Sequence, residues 1–288
     1  MNNKYRIVRA VKQKHNFQNL NSDRKNSATK IKGVSKRKKN GRYEVHFTLN
    51  YIRYNLGIFE TKEEADEVAT LARAMFMPYS EQDVKKYGFM NEDMDGVIYF
   101  RHGVMGAGKS AMLLKSLYIY DRIGKKYLLL TSKKDDRYNV GYITSRNGNS
   151  RKAIAISDED NILDGLRWHN YELDYIIIDE WHLFNPKHVE ELVEASLKHN
   201  ITVICYGLML NYLGEMFESS KKIMEVSHNI QQIPFYCELC KNNLATHHLL
   251  SKDGEYIFDG DEIFIGDEEY QSVCYDCFYK TKNNKNKK

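Results

Sequence analysis

Residues 103–110 form a glycine-rich segment whose residue types and spacing suit phosphate binding. The order Gly103-Val104-Met105-Gly106-Ala107-Gly108-Lys109-Ser110 matches the motif G-x-x-x-x-G-K-[ST]. Glycines let successive backbone N–H groups turn inward around phosphate oxygens, and the start of a following helix adds favourable partial charge. We expect Lys109 to hold the β- and γ-phosphates of a nucleoside triphosphate and the Ser110 hydroxyl to bind magnesium.

Two adjacent acids could complete this phosphate site. The apolar run 175–178 predicts a buried strand, and Asp179 and Glu180 follow it directly. Ligand sites of open α/β sheets lie at the carboxyl ends of the strands. Asp179 could hold magnesium, directly or through water, while Glu180 could act as a general base on a nucleophile. The pair could instead only cap the next helix, but a phosphate loop needs an acidic partner of this kind.

Four of the five cysteines form two pairs with the spacing of metal ligands. Cys237 and Cys240 enclose two residues, as do Cys274 and Cys277, and 33 residues separate the pairs. Two such pairs can give tetrahedral thiolate coordination of zinc, and a closed four-thiolate site is structural rather than catalytic. Cys205 is alone on an apolar strand, so we interpret it as an ordinary core residue.

The elements around these residues alternate between strands and helices. Apolar runs predict strands at 97–100, 127–131, 175–178 and 201–206, and helices are predicted at 109–123 and 186–199. This alternation favours an α/β core with a parallel sheet. The phosphate loop then lies between a strand and a helix, which is the context that the motif requires.

The N-terminal region has a different pattern. Residues 43–49 alternate between apolar and polar, which predicts a half-buried strand, followed by a turn at 50–53 and a return strand at 54–59. Thr61, with Glu64 three residues later, predicts the start of a helix. The sequence therefore predicts a sheet followed by one helix.

Charge is distributed unevenly along the chain. Residues 1–42 hold fourteen Lys and Arg against the single acid Asp23, so the rest of the chain is acidic. A basic block of this kind is either an arm for nucleic acid or another polyanion, or a solubilising tail. We predict that residues 1–30 are mostly disordered and that 77–94 are a linker. The basic side chains that could reach phosphates or guanine edges are Lys36, Arg37, Lys38, Arg42 and Arg53.

Several classes of protein are excluded by composition. No run approaches the roughly 18 apolar residues of a membrane-spanning helix, and the first residues lack the apolar core of a secretory signal. We therefore expect a soluble, cytoplasmic protein without a membrane partner. In that setting paired cysteines bind metal rather than form disulfides.

Residues 31–76 resemble the APETALA2-type DNA-binding domain, which is also found fused to mobile-element and phage enzymes. The resemblance is carried by GVSKRKKNGRYEVHFTLN and LGIFETKEEADEVATLA and by their spacing, with Tyr43 where that family usually has Trp. It implies a small α+β domain, a three-stranded sheet plus a helix. It also implies that DNA is a partner.

Residues 97–280 resemble the type II thymidine kinases. The segments GVMGAGKS, DDRY, ITSRNG, IIIDEWHLF, CYGLMLNYLGEMF, CELC and IFIGDEEYQSVCYDC occur in that family's order and at compatible spacing. The resemblance implies a P-loop NTPase-like parallel sheet with helices at 95–232. A zinc-binding lasso domain with a basic tail would follow at 233–288.

The same resemblance implies a role for each matching residue. Glu180 would deprotonate the 5′-hydroxyl of thymidine, Asp179 would be the magnesium-linked acid, and Arg137 would lie near the phosphates of ATP. The residues expected to contact the nucleoside are Met105, Phe184, Leu208, Tyr212, Ile265, Gly266 and Tyr270. The family also implies a homotetramer.

The chain departs from the family pattern beside the acidic pair. The family reads D-E-[AG]-Q-F, whereas Trp181, His182 and Leu183 follow the acids here, and Asn211 and Tyr212 replace an Asp-Phe pair. Deoxyuridine or a modified pyrimidine nucleoside is therefore an alternative substrate, and His182 is more often structural than substrate-binding. Two other functions stay open: a DNA-binding regulator that senses nucleotides with an inactive kinase fold, and a zinc-containing DNA-dependent ATPase.

Overall fold

The computed structural model describes residues 29–49, 52–77, 80, 83, 95–137, 139–262 and 269–285. The chain divides into two compact units, one of Met1–Met94 with Lys115–Lys125 and one of Asp95–Leu114 with Lys126–Lys288. The predicted disordered arm lies outside the described residues except for Thr29 and Lys30, and so does most of the predicted linker.

The first unit contains a three-stranded antiparallel sheet in the order β1-β2-β3 (Val34–Lys36, Tyr43–Leu49, Ile52–Phe59), and the helix α1 (Lys62–Phe76). Alternation in β2 buries Val45 and Phe47 against this helix, where the rings of Phe47 and Phe76 lie 6.0 Å apart. The α+β prediction is confirmed.

Two details of this unit bear on the sequence predictions. The helix start is confirmed, because Thr61 Oγ1 accepts from the Glu64 N–H at 3.2 Å while the Glu64 carboxylate accepts from the Thr61 N–H at 3.3 Å. The predicted turn was too long, since Leu49 pairs with Ile52 and the return strand begins at Ile52. A two-residue connection matches strand twist better than a longer one.

The second unit is built on a six-stranded sheet in which every pair is parallel. In the order β11-β4-β10-β9-β5-β8, its strands are Asn229–Gln232, Ile98–His102, Thr202–Gly207, Tyr175–Ile178, Tyr127–Ser132 and Ile154–Ile156. The inner strands are buried along their whole length or nearly so, as expected when both faces of a parallel sheet are covered. The predicted α/β fold is confirmed.

Helix α2 (Lys109–Ile123) begins in the second unit, and its residues from Lys115 belong to the first. Helices α4 (His188–His199) and α5 (Glu218–Val226) pack on the sheet, and α3 (Ile162–Trp168) packs on α4. A 3₁₀ turn lies at Trp181–Leu183. The bounds of α2 are those predicted, whereas α4 begins two residues later than predicted. Leu192 and Ala195 of α4 join Ile176 and Trp181 in the core.

Smaller elements complete the second unit. A hairpin consists of β6 (Tyr142–Thr144) and β7 (Ser150–Lys152), and an antiparallel sheet has the order β13-β12-β14 (Glu255–Ile257, His247–Lys252, Glu269–Val273). Helix α6 (Tyr275–Lys285) follows. Within the described residues, no helix has both the length and the apolar character needed to cross a bilayer.

Candidate active site

A cavity of about 320 Å³ lies where the strands β4, β9 and β10 end. Its lining includes the phosphate loop after β4, the two acids after β9 and Leu208 after β10. These strands are neighbours in the sheet, so their carboxyl ends meet. The position matches the ligand site of open α/β sheets, and the volume suits a small organic molecule.

The phosphate loop has the backbone that its glycines permit. Gly106 and Gly108 have φ of +81° and +84°, which L side chains rarely adopt. A Cβ on Gly103 would lie 3.2 Å from the Ile233 carbonyl oxygen, so a larger residue would crowd the loop. The Lys109 ammonium donates to the carbonyls of Gly103 and Val104, both at 3.2 Å. The loop therefore holds its own lysine at the cavity.

Asp179 is a buried carboxylate with one oxygen that could bind a metal ion. Burial and the neighbouring charge of Glu180 raise its pKa to about 7, partly offset by the Ser110 side chain. Its Oδ1 is buried and has no hydrogen-bond partner among the described residues. An orphaned carboxylate oxygen beside a hydroxyl is a donor set that Mg²⁺ accepts. The residues present therefore fit a magnesium ion.

Glu180 is held in an unusual position. Its backbone is left-handed, with φ of 51°, which costs roughly 1–2 kcal/mol for a residue with a Cβ. The Arg137 guanidinium donates to Oε1 of Glu180 and also binds Asp135 at 2.7 and 3.0 Å. Burial raises the pKa of Glu180, but Arg137, His182 and Lys109 outweigh it and lower the pKa to about 2. The carboxylate is therefore ionised and able to accept a proton.

The three residues after the acids divide between core and cavity. Trp181 is fully buried and donates from Nε1 to the Ser219 carbonyl at 2.8 Å. His182 lines the cavity, and its Nδ1 accepts from the Leu208 N–H at 3.2 Å. Burial lowers the pKa of His182 to about 4, so the ring is neutral. His182 thus has a structural hydrogen bond, as expected, and also a surface facing the cavity.

Apolar and aromatic side chains also line the cavity. Of the residues predicted to contact a nucleoside, four are among them: Met105, Leu208, Tyr212 and Tyr270. The Tyr212 hydroxyl donates to the Asp259 carbonyl at 3.0 Å, which fixes the ring. Two other predicted contacts, Ile265 and Gly266, lie outside the described residues.

Phe184 is a correction to the predicted nucleoside set. It is 5% exposed, belongs to the sheet's core and does not line the cavity. Its ring stacks on Trp181 at 5.2 Å. Residues three apart lie on the same side of a 3₁₀ turn, so both rings point into the core together.

The four paired cysteines come together as predicted. All four Sγ atoms lie within 4.8 Å of one another, and the Cys240 and Cys274 sulfurs are 3.8 Å apart. Tetrahedral zinc with Zn–S bonds of about 2.3 Å needs sulfurs about 3.8 Å apart, so the cluster fits zinc. Cys205 lies buried in β10, where burial raises its pKa well above the ordinary value.

A family model described as thymidine kinase matches residues 96–278. The thymidine kinase of Francisella tularensis subsp. tularensis (strain SCHU S4 / Schu 4) is 34% identical over 186 residues, which cover 62% of this chain and 93% of that protein. The thymidine kinase of Streptococcus thermophilus (strain CNRZ 1066) is 37% identical over 178 residues, covering 62% of this chain and 90% of that protein. The chain belongs to the thymidine kinase family.

Residues 1–95 lie outside the thymidine kinase match. A solved structure, the Pif1 helicase from Candida albicans, resembles 48% of this chain and 36% of that one, with a TM-score of 0.31 and 13% identity. This likeness is too slight to distinguish between functions.

The basic residues predicted to bind nucleic acid lie in this N-terminal region. Arg37, Lys38, Arg42 and Arg53 are all exposed. Arg42 pairs with Glu60 at 2.7 Å, and Arg37 lies 4.0 Å from Glu44. Exposed ion pairs contribute little stability, so these contacts would not keep the side chains from another anion.

The sequence analysis assigned no role to several residues that line the cavity. Arg146 lines it from the turn between β6 and β7, and a Cβ on Gly106 would lie 3.3 Å from its guanidinium. His248 and Phe217 also line the cavity. The segment ITSRNG, which contains Arg146, was the one available signal, and it marked the family without indicating contact with the phosphate loop.

Proposed function

We propose that this protein is an ATP-dependent thymidine kinase that transfers the γ-phosphoryl group of ATP to the 5′-hydroxyl of thymidine or deoxyuridine. One observation carries the proposal: the cavity lined by Lys109, Asp179 and Glu180 is lined as well by the apolar and aromatic side chains of Leu208, Tyr212 and Tyr270. A triphosphate and an apolar base could therefore occupy it together. The thymidine kinases of similar sequence support this choice of acceptor.

The phosphate end would bind ATP with magnesium. Lys109 and the loop's backbone N–H groups would hold the β- and γ-phosphates, and Ser110 and Asp179 would hold Mg²⁺. The ion would neutralise charge on the transferred group. Arg137 and Arg146 line the same end and bring two more positive charges to it. Positioning and charge neutralisation supply most of the catalysis in phosphoryl transfer.

Glu180 would be the general base, and Arg137 would control its strength. A carboxylate with a pKa of about 2 is a weak base, and the Arg137 charge is the main cause that lowers it. A γ-phosphate entering the cavity would compete for the guanidinium, because it carries more negative charge. As the pair loosens, the pKa of Glu180 would rise, and proton transfer from the 5′-hydroxyl would become easier.

The nucleoside end would enclose the base. Met105, Leu208, Tyr212 and Tyr270 would supply apolar and aromatic contact, and we retain Ile265 and Gly266 as contacts from the family resemblance. Phe184 would act indirectly, by packing under Trp181. Zinc on the four cysteines would fix the base of the lasso domain without taking part in the reaction. Since His182 and Asn211 line this cavity, they would influence which pyrimidine fits.

The N-terminal sheet and helix would bind DNA, as the resemblance of residues 31–76 implies. Arg37, Lys38, Arg42 and Arg53 would contact phosphates or bases, and their exposure supports this. Replacing all four by Gln should weaken binding to duplex DNA and flatten its salt dependence. Gln at the exposed Lys187, Lys198, Lys221 and Lys222 is the matched control and should change neither. The resemblance of residues 97–280 to the type II thymidine kinases implies a homotetramer, which light scattering would test.

A panel of nucleosides with purified protein, ATP and magnesium tests the proposed activity. Thymidine should yield thymidine monophosphate, with deoxyuridine as the next best acceptor and purine nucleosides inactive. ATP binding without phosphorylation of any nucleoside would favour the regulator, and hydrolysis stimulated by DNA without an acceptor would favour the ATPase. Either result would overturn the proposal.

A further inference from the structure

Both backbone polar groups of Met105 are bound by side chains from the C-terminal sheet. The Met105 N–H donates to Nε2 of His248 at 2.9 Å, and the Met105 carbonyl accepts from the Ser272 hydroxyl at 2.8 Å. Both side chains are 2% exposed. Phosphate loops use their backbone N–H groups for the ligand, so a residue tied at both groups is fixed in place.

The two side chains come from one cross-strand pair. His248 of β12 lies directly opposite Ser272 of β14 in the antiparallel register. Residues opposite each other in such a pair have Cβ atoms about 5 Å apart, so both side chains can reach the backbone of one residue packed against them. The pair therefore grips Met105 as one unit, which we call the Met105 clamp.

The Met105 clamp is itself anchored at the cysteine cluster. The Glu238 N–H donates to the Ser272 carbonyl at 2.9 Å, and the Ser272 N–H donates to the Glu238 carboxylate. Glu238 lies between Cys237 and Cys240 in the chain, and Cys274 follows Ser272 by two residues. Hydrogen bonds from Met105 to Ser272 and from Ser272 to Glu238 therefore connect the phosphate loop to the chain segments that carry the cysteine cluster.

The clamp also reaches the nucleoside end of the cavity. The His248 ring meets Tyr270 edge to face at 6.5 Å, and Tyr270 shares a strand face with Ser272. Strands β12 and β14 also flank the segment 253–268 in the chain. The position of Met105 is thus set by the same strands that carry Tyr270.

We propose that His248 and Ser272 are positioning residues that hold the backbone of Met105, so that the C-terminal sheet sets the fit of the nucleoside against the phosphate loop. The inference rests on the proposed function, because it concerns the nucleoside end of that cavity. Neither residue needs to touch the substrate. They act through Met105, whose side chain lines the cavity.

The test compares Ser272→Ala with Ser251→Ala in the full, zinc-loaded chain. Ser251 lies on β12 and donates to the Glu269 carbonyl across the same two strands, but it does not contact the phosphate loop. Ser272→Ala should raise the KM for thymidine roughly three- to tenfold, as expected for loss of one buried hydrogen bond, with kcat within about twofold. Ser251→Ala should change neither, and Ser272→Thr, which keeps the hydroxyl, should retain a KM close to that of the unmodified protein.

A second measurement decides the inference without turnover. Amide hydrogen exchange of the peptide containing 103–108 should accelerate in Ser272→Ala and in His248→Phe, but not in Ser251→Ala. Equal acceleration in Ser251→Ala would show general loosening of the sheet and overturn the clamp, as would unchanged exchange in Ser272→Ala. If the unmodified protein phosphorylates no nucleoside, the proposed function fails, while the exchange result still decides whether the clamp exists.

Discussion

The two ends of the cavity are constructed in different ways. The phosphate end comes from two short continuous segments, 103–110 and 179–180, each placed directly by the end of a strand in one sheet. The proposed nucleoside end combines Met105 of the phosphate loop with residues far apart in the chain, namely Leu208, Tyr212, His248 and Tyr270. Local backbone geometry therefore determines the first, and tertiary packing determines the second.

This difference separates the expected effects of substitution. In the proposed function, groups at the phosphate end would contact the atoms that react, so their loss should lower turnover. Groups at the nucleoside end would contact a part of the substrate that does not change in the reaction. Their loss should raise KM and leave kcat nearly unaffected.

The largest effect is expected at Glu180. Glu180→Gln removes the proton acceptor while keeping side-chain size, and should reduce kcat by roughly 10²- to 10⁴-fold. ATP affinity should not fall, because Arg137 keeps its two bonds to Asp135 and a γ-phosphate no longer competes with a charged Glu180 for it. Steady-state kinetics and ATP binding by calorimetry measure the two quantities separately.

The matched control is Glu262→Gln. Glu262 is a second glutamate that lines the same cavity. The substitution Glu262→Gln should leave kcat within a few-fold of the value for the unmodified protein. Turnover that survives Glu180→Gln, or falls equally in Glu262→Gln, would contradict the division between the two ends.

Much of the phosphate end could be predicted from sequence. The motif at 103–110 predicts a particular backbone conformation of the phosphate loop. Helix α2 has the bounds that the sequence predicted. The cysteine spacing likewise identified a cluster whose sulfurs meet. The residues of the phosphate loop are neighbours in the chain. The four cysteines have the spacing that is typical of zinc ligands.

The errors and omissions fall where the chain changes direction or meets a distant segment. Phe184 was wrongly placed because the left-handed backbone at Glu180 starts a 3₁₀ turn, which no propensity of the residues 180–184 indicates. His248 and Ser272 were missed because their contact with Met105 spans 143 and 167 residues. A pattern read along one strand cannot show which loop that strand will meet.

The second effect in size is expected at Tyr270. Tyr270→Ala should raise the KM for thymidine by roughly 5- to 100-fold, since contact between an aromatic ring and a base contributes about 1–3 kcal/mol. The kcat value should fall less than threefold. Tyr236→Ala is the control, because Tyr236 is 65% exposed and does not line the cavity. A fall in kcat that exceeded the rise in KM would place Tyr270 at the reacting end instead.

The smallest effect is expected for His248. It concerns the free energy of unfolding rather than turnover. Burial, with the charge of Lys109, lowers the pKa of His248 from its ordinary 6.5 to about 3. Between these values the unfolded chain binds a proton that the folded chain does not, so this group makes the folded state less stable as pH falls below about 6.5. Between pH 7.5 and 5.5 the loss should be about 1.4 kcal/mol.

His248→Gln removes this titration while keeping an acceptor for the Met105 N–H. Its free energy of unfolding should therefore fall less than that of the unmodified protein between pH 7.5 and 5.5, by about 1.4 kcal/mol. Urea unfolding at the two pH values measures the difference. The other buried histidines and the cysteine cluster are present in both proteins, so their contributions cancel in the comparison. An equal pH dependence in the two proteins would mean that His248 takes up its proton while folded, and that Met105 is not held through a neutral ring.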